Sequence, residues 1–135
     1  MCVKLAENIV SLLMKNPMSC AIVDKEEEYC EHLSNVLYDL GFDVSIFDDV
    51  KSFKTAYNKS KFDIVIVSWD MESFIGENVV EAIKECGKPY PSIILGCDGG
   101  GSLSFQLDIN PVGFLFKPFD VNRLFEVIHR AIKEN

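Results

Sequence analysis

The sequence predicts an α/β domain, a doubly wound parallel sheet with helices on both faces, and three observations carry that prediction. Short apolar runs alternate along the chain with segments whose apolar residues recur at helical spacing, the pattern of repeated strand-helix-strand units with right-handed crossovers. The run Ile64, Val65, Ile66 and Val67 is unbroken and β-branched, which suits a mid-sheet strand buried on both faces. Directly after it come Ser68, Trp69, Asp70 and Met71, polar and aromatic groups placed where a parallel strand opens onto the carboxyl edge of its sheet. That edge is the usual place of chemistry in open α/β folds.

Taken in order, the chain opens with an amphipathic helix. Val3, Ala6, Ile9, Val10, Leu13 and Met14 share one broad arc, Lys4, Glu7, Asn8, Ser11 and Lys15 take the other, and Asn16-Pro17 stops the pattern. Lys4, Glu7 and Lys15 interrupt the apolar residues too often for a signal peptide. Cys20 to Val23 reads as a strand, followed by the acidic loop Asp24, Lys25, Glu26, Glu27. A helix then carries Tyr29, Cys30, Leu33, Val36, Leu37 and Leu40 up to Gly41. Val44 to Phe47 gives the second strand, and Val50, Phe53, Ala56 and Tyr57 mark a short helix after Asp48-Asp49.

The central strand is followed by a helix from about Glu77 to Cys86, a connector from Gly87 to Pro91 and a fourth strand from Ser92 to Leu95. Gly96 to Ser102 reads as a flexible stretch, so the next helix holds little more than Leu103 to Asn110 before Pro111. Val112 to Phe116 is the fifth strand, Lys117-Pro118 a turn, and Leu124, Phe125, Ile128, Ala131 and Ile132 mark the last helix.

Composition bounds the function. A chain of 135 residues, 48% hydrophobic and 25% charged, forms one soluble globular domain with one sizeable core. A formal charge of -8 and an isoelectric point near 4.7 argue against nucleic-acid binding, which needs a basic footprint, and against membrane docking of the first helix. Cys2, Cys20, Cys30, Cys86 and Cys97 are odd in number and lack CxxC spacing, so no disulfide framework or zinc site is indicated and a reducing cytoplasm is the simplest compartment.

Three pieces far apart in sequence, Ile22-Val23-Asp24, Phe62 to Gly76, and Gly113-Phe114-Leu115-Phe116-Lys117-Pro118-Phe119, resemble the receiver domain of bacterial two-component response regulators. The resemblance spans roughly Ser19 to Asn135, dividing the chain into a helix and connector, 1–18, and a receiver-like domain, 19–135. It implies a flavodoxin-like five-stranded sheet of order 2-1-3-4-5 and a cis Lys117-Pro118 bond.

In this register Met71 falls at the family's methionine, Glu72 at its proline and Gly76 at its glycine, which puts Ser68 where the family has its phosphorylated aspartate. Asp24 matches the first of two metal-holding acids and Lys25 replaces the second. Gly96 replaces the hydroxyl residue, Lys117 is retained, and Phe114 stands at the switch-aromatic position. Asp70 occupies a position whose backbone carbonyl, not its side chain, helps bind metal in the family. A serine without a base held against it is a poor nucleophile at neutral pH, and losing two carboxylates removes ligands that a hard cation needs. Magnesium is therefore expected to bind weakly or not at all, with Asp24 a weak candidate ligand, and Asp24 is expected to pair with Lys117 or Lys25.

The expected function is a pseudo-receiver, not an enzyme and without a cofactor, acting on a protein partner through the helix after the fourth strand, the fifth strand and the last helix. One alternative is a phosphorylatable regulator using Asp70. Another is a small-molecule sensor using the crevice near Trp69, Cys97 and Gly99 to Gly101, whose glycine run lacks the spacing of a phosphate-binding loop. The first helix lies outside the family pattern, and a homodimer contact through its apolar arc is favoured over packing on its own domain.

Overall fold

The computed structural model describes residues 2–70, 74–98 and 109–135. In chain order the elements are α1 (Cys2–Lys15), β1 (Ser19–Val23), α2 (Glu27–Leu40), β2 (Asp43–Phe47), α3 (Val50–Lys59), β3 (Ile64–Trp69), α4 (Ile75–Cys86), β4 (Ser92–Asp98), β5 (Gly113–Lys117) and α5 (Val121–Glu134). The strands form one parallel sheet in the order β2-β1-β3-β4-β5, as the resemblance implied.

Alternation along the strands sorts the core into two layers. Cys20, Ile22, Ile64 and Ile66 join a cluster with Ile9, Leu33, Leu37, Leu124 and Ile128 under α1, α2 and α5. Ala21, Val23, Val65 and Val67 point the other way, to Phe53, Tyr57, Val79 and Ile83 under α3 and α4. This period of two explains why β3 is apolar throughout, since each face needs half of its residues. Local chemistry sets the helix ends. The Asp49 and Asp120 carboxylates accept from the Ser52 and Asn122 N–H groups at 2.6 and 3.0 Å, and Gly41 ends α2 at φ 114°.

The boundaries differ from the sequence reading where pairing overrides propensity. β3 continues through Ser68 and Trp69, and β4 through Gly96, Cys97 and Asp98, because Ser68 pairs with Gly96 and Trp69 with Cys97 while β5 pairs on the other side. Gly96 to Asp98 are therefore strand rather than part of a flexible stretch. α4 begins at Ile75, two residues early, so Gly76 lies in its first turn. The helix expected over Leu103 to Asn110 lies outside the described residues except for Ile109 and Asn110, which are not helical.

The preference for a dimer contact through α1 is corrected in its packing. Ile9 and Leu13 are buried in the chain's own core, and Leu5, Ala6 and Val10 pack against it, because α1 fills the seam between α2 and α5. Val3 and Met14, placed on the same arc, remain 70% and 80% exposed. Lys88-Pro89 and Lys117-Pro118 are both cis.

Candidate functional site at the carboxyl edge

β1 ends at Val23, paired with Val67, so Asp24 stands at the height of Ser68 where the sheet order reverses between β1 and β3. The Asp24 N–H donates to the Phe47 carbonyl at 3.0 Å, fixing the backbone there. Its carboxylate is 4% exposed, and both oxygens are engaged. Oδ1 accepts from the Glu26 N–H at 3.0 Å, and Oδ2 lies 2.6 Å from Lys117 Nζ.

Lys117, the last residue of β5, reaches this carboxylate over the ends of β4 and β3. Its Cε lies 3.8 Å from where a Cβ on Gly96 would stand, so the absence of a side chain at position 96 leaves the path open. A second carboxylate, Glu26 Oε2, lies 3.5 Å from the ammonium. Burial works against the charged form of Lys117, but the hydrogen bond and charge of Asp24, with Glu26 and Asp98 adding, outweigh it and hold the ammonium above the ordinary lysine range.

Tyr29 completes the pocket from the first turn of α2. Its ring centre lies 4.8 Å from Lys117 Nζ, a cation–π contact, and its Oη would be 3.2 Å from a Cβ at position 96. The Oη is buried and meets no hydrogen-bond partner among the described residues. Burial, with the Asp24 carboxylate adding, pushes the phenol well above its usual range, so it stays protonated.

Ser68 is buried and directly opposite Gly96. The two positions at which the family resemblance puts the acceptor and the hydroxyl residue are thus neighbours across one strand pair, one with a small side chain and the other with none. Trp69 turns to the other face of the sheet, half-buried over Gly76. A Cβ on Gly76 would fall 2.7 Å from the indole Cζ3 and closer still to Cε3, so close approach rather than backbone freedom requires glycine there.

Lys25 is exposed, and the cation on Asp24 is Lys117. Asp70 is half-buried just beyond the end of β3. Phe114 is half-buried and packs into the layer under α3 and α4. Met71, Glu72 and Gly99 to Gly101 fall outside the described residues. Cys30 lines the cleft beside Asp24 and Cys97 is buried in the layer under α3 and α4; burial raises both thiols, Cys30 to about 11, so neither is a ready thiolate.

The oxygens that a magnesium ion would draw on are already engaged here. A hard cation needs several oxygens free to turn towards it, whereas both Asp24 oxygens are bonded, Glu26 shares the same ammonium, and position 68 offers a hydroxyl. Among the described residues no three acids, histidines or cysteines converge on a metal-sized space.

Sequence reasoning missed Glu26 and Tyr29 as pocket residues. Tyr29 sits at a core-facing helical position, and its ring does pack against the core. The only available signal was its place five residues beyond Asp24, within the first turn of the helix that starts at this edge.

A family model described as the response regulator receiver domain matches residues 20–129. The chain belongs to that family. The match begins after α1. Among curated proteins the receiver is similar to the transcriptional regulatory protein FixJ of Bradyrhizobium diazoefficiens, 28% identical over 114 residues covering 84% of this chain and 56% of that one. It is also similar to the transcriptional regulatory protein PcoR of Escherichia coli, 24% identical, covering 83% and 50%. The receiver thus spans about half the length of the curated relatives it matches. Among solved structures, the crystal structure of FixJ-N superposes with a TM-score of 0.70 at 20% identity, covering 87% of this chain and 95% of that one. Chemotaxis protein CheY4 of Vibrio cholerae gives 0.70 at 20%, covering 84% and 98%. At these identities the superpositions speak for the receiver fold. Receiver domains are signalling modules of two-component systems, and none of the described helices is long and apolar enough to cross a membrane.

Proposed function

We propose that this chain is a pseudo-receiver, a signalling module that acts through protein-protein contact in the cytoplasm without aspartyl phosphorylation, metal or cofactor. The observation that carries the reading is the closed Asp24–Lys117 pair beside Ser68: the lysine that would meet an incoming phosphoryl group already neutralises a buried carboxylate, and position 68 has no carboxylate to attack with. Residues 19–135 form the signalling domain in this reading, with 1–18 an added helix and connector. The contact surface is the edge formed by β5 and α5, where Phe116 is exposed.

Incubation with acetyl phosphate and magnesium, followed by intact mass measurement, tests the proposal. An unchanged mass is expected. A stable phosphoryl adduct that disappears in Asp70→Asn would replace it by the reading in which Asp70 is the acceptor.

A further inference from the structure

We propose that Tyr29 is a built-in plug that keeps the Lys117 pocket shut, its hydroxyl using the room left by the missing side chain at position 96 and its ring capping the Lys117 ammonium. Three contacts support the plug. Position 96 lacks a side chain, and the atom nearest to its imagined Cβ is Tyr29 Oη at 3.2 Å, closer than ordinary van der Waals contact. The same ring lies 4.8 Å from Lys117 Nζ, which also pairs with Asp24 Oδ2 at 2.6 Å, so the ammonium is held by a carboxylate and an aromatic face. From outside, Phe119 braces the ring edge-on at 6.1 Å, and His32 lies 4.8 Å from Phe119 in turn.

The parts depend on one another. A side chain at position 96 would push the phenol outwards, and an absent phenol would open more of the ammonium, whose side chain is now 9% exposed, to the groove between α2 and the Lys117-Pro118 turn, which Lys117 already lines beside Tyr29, Glu26, Glu28 and His32. The buried hydroxyl meets no hydrogen-bond partner among the described residues, and among these it is fit and bracing that place it. Closure is therefore a property of position 29 as well as of the substituted acceptor. It would persist if a carboxylate were restored at position 68. The inference rests on the reading of the pocket as one that takes no phosphoryl group.

The test is the rate at which a water-soluble acetylating ester modifies Lys117 in the full chain, followed by peptide mass and referred to exposed Lys51. Wild type and Tyr29→Phe, which keeps the ring, are expected to protect Lys117, whereas Tyr29→Ala raises its relative rate about tenfold or more as local opening becomes easier. An unchanged relative rate in a folded Tyr29→Ala protein would overturn the plug. A second arm does not need that variant to fold. Gly96→Ala is expected to lower the melting temperature of the wild type and to leave that of Tyr29→Phe unchanged, because the atom it crowds is then gone; equal losses in both backgrounds would also overturn it. The two proposals fail separately, since an Asp70 adduct with Lys117 still protected removes only the pseudo-receiver reading, and an open Lys117 with no adduct removes only the plug.

Discussion

At the sheet edge Asp24 and Lys117 are both nearly sealed from water, so removing one partner leaves the other as a buried charge without its close partner, whereas removing both leaves only the half-exposed Glu26 carboxylate charged there. Lys117→Met is expected to destabilise the fold by about 3 kcal/mol, and the double variant Asp24→Asn with Lys117→Met to recover most of that loss, both read by urea denaturation. Because the folded state holds the Lys117 proton more tightly than the unfolded chain, its contribution is complete below the ordinary lysine value of 10.5 and is lost as pH rises through the higher folded value. The raised phenol of Tyr29 acts in the same sense above its ordinary value of 10.0. Urea midpoints measured from pH 8 to pH 11 should therefore fall at the alkaline end, with a shallower fall in Lys117→Met and in Tyr29→Phe; a fall of the same steepness in wild type and both variants would contradict this. Asp24, Ser68, Gly96 and Lys117 were legible in the sequence because each sits at or near the carboxyl end of a strand whose neighbours are distinctive. Glu26 and Tyr29 were not, since an acidic loop residue and an aromatic on a helix's inner face are ordinary features until the packing shows what they touch.

Among the elements, α1 shows how much an amphipathic pattern leaves open. The apolar arc correctly announced that Ile9 and Leu13 would be buried, yet burial alone does not name the surface that does it. The deciding feature is the seam between α2 and α5, which periodicity read one helix at a time does not reveal. Leu13→Ala is expected to cost about 3 kcal/mol in thermal or urea unfolding, as for other leucines truncated in a packed core, while Met14→Ala, on the exposed side, should cost almost nothing. Similar losses at both sites would mean that α1 is not seated as described. The ends of β3 and β4 were illegible for a related reason. Ser68 and Gly96 are poor strand formers taken singly, and only their mutual pairing keeps the ladder going. At the start of α4, Gly76→Ala should lower the melting temperature, since its methyl would enter the Trp69 ring, and pairing it with Trp69→Ala should relieve that part of the loss, leaving the 3.0 Å approach to the Ser68 carbonyl.

Across the whole molecule, fold class and strand order were readable because five apolar runs alternate with helical patterns over nearly the full length and because the matching motifs recur in the right order. The two-layer core follows from that order without further information. Charge is the other global property. With a formal charge of -8, the chain is expected to leave the fluorescence anisotropy of a labelled DNA duplex unchanged at physiological salt. Binding that weakens as salt rises would contradict this expectation. FixJ and PcoR carry transcriptional regulatory names, but about half of each lies beyond the stretch matched here, so DNA contact in such proteins need not involve a surface like this one.

The seating of α1 makes the two sides of the sheet unequal, and that inequality has a kinetic counterpart. α2 and α5 lie beneath a third helix that buries Ile9 and Leu13 between them, whereas α3 is anchored mainly by Phe53 and Tyr57. Freeing an amide of α2 or α5 for deuterium exchange requires α1 to come away as well, so these helices should exchange as one cooperative unit and later than α3. Movement in this receiver would then begin on the side of α3 and α4, away from its added helix.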